Sequence, residues 1–121
     1  MSAPNMTNFE IRRFSFQLDE IAHQTELEPK IRNWPVVYTI SDSSAKHSRR
    51  IYVGESTSAF KRLGQHKKNP SKSNLEIAQV ILHEKFNISA TKDLEARLIN
   101  YFHGDNMYVV CLLYTSDAAD D

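Results

Sequence analysis

Hydrophobic positions along this chain change period several times, and each change marks an element. Residues 9–16 (FEIRRFSF) alternate imperfectly between apolar and polar, the pattern of a short strand. In residues 17–25, Leu18, Ile21 and Ala22 share one side of a helix that Pro29 terminates. Residues 35–40 (PVVYTI) and 50–53 (RIYV) are β-rich runs, separated by a turn-forming stretch that begins at Ser41. The connection between them, about nine residues, is long for a hairpin but acceptable. Gly54 ends the second strand, and Ser56 or Thr57 caps a helix to about Lys68. Pro70 lies in a loop. Residues 76–83, with Ile77, Val80, Ile81 and Leu82, suit a third strand better than a helix, although their periodicity admits both. Ser89 or Thr91 opens a last helix that runs to about His103, with Gly104 as its C-cap.

The resulting order is β-β-α-β-α after an N-terminal extension. It predicts an α/β protein of the α+β kind, with a small three-stranded antiparallel sheet flanked by helices. The 121 residues suffice for one domain with a modest core. A hydrophobic content of 40% and a charged content of 25% fit a soluble globular chain. No apolar run approaches the roughly 18 residues of a membrane span, and the N-terminus lacks a signal-like apolar stretch. A cytoplasmic protein without a membrane partner is the expectation. The polar residues 1–8 read as disordered, 9–33 as an extension, and 34–110 as the principal domain.

The end of the chain has a different character. Residues 111–120 (CLLYTSDAAD) resemble the conceptual translation of a transposase-type sequencing adaptor, so 111–121 is read as an artefactual tail. The domain before it is then truncated at its C-terminal end. Setting the tail aside removes Cys111, and with it any disulfide, thiolate nucleophile or cysteine-based zinc site. It also removes Asp117, Asp120 and Asp121. The formal balance of 15 basic and 15 acidic residues becomes 15 against 12, a net charge of +3.

That charge is concentrated. Between Lys46 and Lys72 stand eight basic residues and one acid, Glu55. Arg49, Arg50, Lys61, Lys67, Lys68 and Lys72 are the candidate contacts to a nucleic-acid backbone. Taken alone, the stretch reads more readily as an ordinary solvated loop and helix.

Candidate chemistry lies on either side of it. Arg62 and His66 are four residues apart and share a helix face. A guanidinium keeps its proton and matches phosphate geometry with two parallel donors. Glu95, Ile99 and Phe102 are spaced i, i+4, i+7, so the Glu95 carboxylate borders an apolar stripe. A lone helical glutamate is most often simply solvated, and strand tyrosines such as Tyr38 and Tyr52 are most often core. For a phenol to act as a base at neutral pH, its proton affinity must fall about a thousandfold, which a nearby cation can achieve.

Together and in order, Val36-Val37-Tyr38, Tyr52-Val53-Gly54, Arg62, His66 and Glu95 resemble the GIY-YIG nuclease domain across roughly residues 34–104. The first motif reads Val-Val-Tyr where the family has Gly-Ile-Tyr, and the second Tyr-Val-Gly where it has Tyr-Ile-Gly. Runs such as NWPVVY (33–38), YVGES (52–56) and YFHGD (101–105) resemble a bacterial subgroup. In that subgroup the nuclease precedes a P-loop ATPase or helicase-like domain in the same polypeptide. No G-x-x-x-x-G-K-[ST] loop occurs in this sequence, so ATP binding is implied only for such an attached part.

The resemblance implies a metal-dependent DNA endonuclease. It implies Tyr38, Tyr52, Arg62, His66 and Glu95 as catalytic residues, with Glu95 holding Mg²⁺ or Mn²⁺. Arg62 and the cation would stabilise phosphate charge while Tyr38 or His66 manages the proton. The five residues are then expected to line one concave face. The family's further asparagine is expected beyond the truncation. An alternative is a catalytically inactive nucleic-acid-binding module that guides the attached ATPase. A small interaction domain without a nucleic-acid role is a third possibility.

Overall fold

A computed structural model describes residues 9–43 and 49–104, together with the backbone of 108–110. The expectations for residues 1–8, Lys46 and the tail 111–121 fall outside these residues. In chain order the elements are β1 (Glu10–Ser15), α1 (Leu18–Leu27), α2 (Lys30–Asn33), β2 (Val36–Ser41), β3 (Arg49–Ser56), α3 (Ala59–Lys68), β4 (Ile77–Leu82), α4 (Ile88–His103) and β5 (Tyr108–Val110). Among the described residues no helix is long and apolar enough to cross a membrane.

The class is α+β as expected, but the sheet is larger than three strands. Its order is β1-β4-β2-β3-β5. The first four are antiparallel neighbours, and β5 adds a parallel edge beside β3. Two strands lie outside the expected sheet, β5 and β1, the latter within the segment read as an extension. β1 pairs with β4 along its whole length, from Glu10 opposite Leu82 to Ser15 opposite Ile77. That pairing spans some sixty residues of sequence, and local alternation carries no signal of it.

β2 is central and every one of its residues is buried. Both its faces are covered, so even Thr39 and Ser41 are enclosed beside the apolar Val36, Val37, Tyr38 and Ile40. The period-two geometry of the strands divides the side chains between the two faces. On one face Val36, Tyr38, Ile40, Tyr52, Ala78 and Val80 form the main core with residues of α1, α2 and α3. On the other, Val37, Ile51 and Val53 pack with Ile81 and with Leu94, Leu98, Ile99 and Phe102 of α4.

Both long helices of the expected site begin later or earlier than anticipated. α3 takes Ser58 as its N-cap without a side-chain cap, and Ser56 Oγ instead accepts from the Ser58 N–H at 2.8 Å. α4 takes Asn87 as its N-cap, whose Oδ1 accepts from Ala90 N at 2.8 Å. Asparagine is a strong N-cap and lies upstream of both Ser89 and Thr91. Thr91 is instead buried inside the helix, where its hydroxyl donates to Ile88 O at 3.1 Å. Gly104 is the C-cap, as its position suggested.

Candidate active site

The two strand tyrosines and the helix histidine meet beneath α3. Tyr38 on β2 is fully buried, and Tyr52 on β3 and His66 on α3 are nearly so. Tyr38 Oη and His66 Nε2 are hydrogen-bonded at 2.9 Å. With the ring proton on Nδ1, the phenol donates. Ring centroids lie 4.8 Å apart for Tyr52 and His66, and 6.2 Å apart for the two tyrosines.

Gly54 completes this cluster. It sits opposite Tyr38 in the β2–β3 ladder, and a Cβ added to it would stand 2.6 Å from Tyr38 Oη. The glycine therefore does not end the strand, which continues to Ser56. Its missing side chain is the space in which the Tyr38 phenol crosses to His66.

Arg62 lies one turn before His66 and borders a cleft of about 500 Å³. The cleft opens where the end of β3 meets the first turns of α3 and α4, and Glu55, Ser58, Lys61, Arg62, Gln65 and Lys92 are among its lining residues. The Arg62 guanidinium donates to Gln65 Oε1 at 3.3 Å on the same helix. Three cations, one of them Lys92 paired with the Glu55 carboxylate, and the start of a ten-residue helix thus face one space, which leaves Lys61 and Arg62 as the charges suited to an anion.

Glu95 stands elsewhere. It is half-buried on α4, the helix that packs on the sheet face opposite Tyr38 and Tyr52. Burial pushes its carboxyl above the ordinary range, the charge of Glu55 adds to this, and Lys92 opposes it. Glu55 connects the two regions. It follows Gly54 by one residue, so the strand alternation turns it toward α4. There Lys92 Nζ donates to its Oε2 at 3.1 Å and the Thr91 hydroxyl to its Oε1 at 3.4 Å. The same Glu55 also lines the Arg62 cleft. Its hydrogen bond and charge raise the Lys92 ammonium in turn.

The five candidate residues thus do not converge as a single packed group. Tyr38, Tyr52 and His66 touch, Arg62 lines the cleft one helical turn before His66, and Glu95 belongs to the helix on the other face. Tyr38 is also too deeply enclosed to meet a surface water itself, so its place is that of a partner to His66.

The one further carboxylate beside Glu95 among the described residues is Glu55, which Lys92 already pairs. A carboxyl made costly by burial and by a neighbouring carboxylate gains from a divalent ion. Among the described residues no three His, Cys, Asp or Glu side chains group together. An ion here would take most of its shell from water, which Mg²⁺ accepts.

The candidate nucleic-acid contacts separate into two sets. Lys61 and Lys68 are exposed. Arg50 is committed to the buried Asp42, with its Nε at 3.1 Å from Oδ2 and an Nη at 3.0 Å from Oδ1. Lys67 donates to Ser73 O at 2.8 Å and lies over the Phe16 ring. Arg49 is half-buried. Lys72 is 0% exposed, so its expected contact with a phosphate backbone is overturned.

Sequence reasoning passed over Glu55 and Lys92. The alternation beyond Gly54 was the available signal for Glu55, and the three-residue spacing from Lys92 to Glu95 was that for Lys92.

No protein-family model, curated protein or solved structure matches the chain.

Proposed function

We propose that this domain hydrolyses DNA phosphodiester bonds with the help of one divalent cation, in the manner its resemblance to GIY-YIG nucleases implies. The observation that carries the reading is the meeting of Tyr38, Tyr52 and His66 from three separate elements. Arg62 stands one turn away at a basic cleft.

In this reading a phosphate enters the cleft at the start of α3, where Lys61 and Arg62 supply positive charge. Arg62 balances the charge that develops on the phosphate oxygens. With its ring proton on Nε2 and donated to Tyr38 Oη, His66 would take the proton of the attacking water at Nδ1, with Tyr52 beside it as a relay. A cation held by Glu95 would act as a Lewis acid toward the phosphate and its leaving oxygen. DNA as partner, and a P-loop ATPase or helicase-like domain in the same polypeptide, belong to the same proposal.

The deciding experiment is cleavage of supercoiled plasmid and branched DNA in Mg²⁺ or in EDTA, with the wild type and Glu95→Gln. Mg²⁺-dependent nicking that Glu95→Gln abolishes while DNA binding persists is the expected result. The separation of Glu95 from the tyrosines favours a second reading, a DNA-binding module without cleavage. Binding with no metal-dependent nicking would establish that one instead.

A further inference from the structure

We propose that Lys72 is a positioning residue of the tyrosine–histidine cluster. Its buried ammonium, held over the ring of Tyr52, seats that ring against His66 and lowers the proton affinity of the Tyr52 phenol. The catalytic meaning of this rests on the nuclease reading.

A lysine is almost never fully enclosed, because its flexible stem normally carries the charge out to water. Lys72 is 0% exposed. Burying an ammonium is costly unless the surroundings compensate it. Its Nζ lies 4.7 Å from the centroid of the Tyr52 ring, well within range of a cation–π interaction.

The loop bearing Lys72 is braced along its length. Lys72 N and Ser73 N donate to Asn69 O at 2.9 and 2.8 Å, and Leu75 N donates to Lys72 O at 3.0 Å. Lys67 of α3 holds Ser73 O, and Arg50 of β3 reaches Asn74 Oδ1 at 3.2 Å. Glu76 N donates to Ser41 O at 2.8 Å, which ties the loop to β2. The position of Lys72 is therefore set by the fold around it.

Titratable and charged groups reach Tyr52 from three sides: Tyr38 from β2, His66 from α3 and Lys72 from the loop. Of these, Lys72 is the one that brings an ammonium against the ring. A cation against a phenol favours its ionised form and strengthens it as an acceptor. That suits a tyrosine packed on the histidine assigned to the proton.

The test uses Lys72→Met and Lys72→Arg, with tyrosine ¹³Cζ resonances followed through a pH titration and Tyr52 assigned by Tyr52→Phe. In Lys72→Met, Tyr52 should titrate higher by about one pH unit or more, and Lys72→Arg should largely restore it. An unchanged Tyr52 titration in folded Lys72→Met overturns the proposal. Should Lys72→Met not fold, the wild type decides. The Lys72 ¹³Cε shift should report a charged amine at neutral pH, with its ε-protons moved upfield by the ring. A neutral amine, or ε-protons without the ring shift, overturns the proposal. These readouts need no cleavage. A moved titration without DNA cutting supports the placement of Lys72 while removing the nuclease reading. Cutting with an unmoved titration removes the Lys72 role alone.

Discussion

At the scale of single residues, the contacts are specific enough to give opposite signs to different substitutions. Gly54→Ala places a methyl where Tyr38 Oη now lies, at 2.6 Å. Either the phenol withdraws from His66 or the strand shifts, at a cost of about 1–3 kcal/mol. Chemical denaturation should register this loss, and the Tyr38–His66 hydrogen bond should weaken with it. Glu95 behaves in the other direction. Its carboxyl is raised in the fold by burial and by Glu55, so the unfolded chain releases that proton at lower pH. Below the unfolded value both states keep the proton and the group costs nothing. As pH climbs from the unfolded value through the folded one, a destabilisation accrues and then stays constant. Glu95→Gln should therefore raise Tm near neutral pH, and the difference should close below the ordinary carboxylate range. Thermal unfolding across that range checks it. If Glu95 holds the proposed cation, added Mg²⁺ should raise the Tm of the wild type and leave that of Glu95→Gln unmoved, because the ion then stabilises only a fold with a carboxylate to bind.

At the scale of elements, the N-terminal segment belongs to the domain. β1 pairs throughout with β4, and Phe14, Phe16, Ile21 and Ile31 are buried in the core that also holds Tyr38 and Tyr52. A chain beginning at Trp34 would uncover that face and leave β4 as a bare edge. It should show no cooperative unfolding transition. Phe16→Ala, a milder change at a fully enclosed ring, should cost about 3–5 kcal/mol in denaturant melts.

This also marks where sequence reasoning runs out. β2, β3, α3 and α4 were legible because each carries its own period and breakers, whereas the period of β4 admitted strand and helix alike. The meeting of Tyr38, Tyr52 and His66 is set by how β2, β3 and α3 pack, which no local period records. The pairing of β1 was not legible, since register with a distant strand leaves no local trace. The enclosure of Lys72 was hidden for a related reason. A lysine among Ser, Asn and Pro reads as a solvated loop, and its burial is decided by braces from α3, β2 and β3. Glu95 was placed correctly on an apolar-edged helix, yet which sheet face that helix covers depends on the whole topology.

At the scale of the whole molecule, the question is which of its many cations a nucleic acid would feel. Sequence alone treats the stretch up to Lys72 as one basic surface. In the fold, Arg50 is spent on Asp42, Lys67 on Ser73 O and the Phe16 ring, and Lys72 on the Tyr52 ring. Lys61 and Arg62 line the open cleft with Lys92, and Lys68 is exposed further along α3. Each phosphate neutralised releases counterions, so log K for duplex DNA falls against log salt with a slope of about 0.9 per contact. If the cleft is the docking site, Lys61→Ala should weaken DNA binding and flatten this slope by about one contact. Arg50→Ala and Lys72→Met should lower stability, since each removes one partner of a buried interaction. In whatever fraction remains folded, the slope should stay as in the wild type. Binding isotherms over a salt series, with each variant's folded fraction measured separately, make the comparison. A slope that falls equally for Lys61→Ala and Lys72→Met would mean that the charge acts as one diffuse field. The cleft would then hold no special claim on the phosphate.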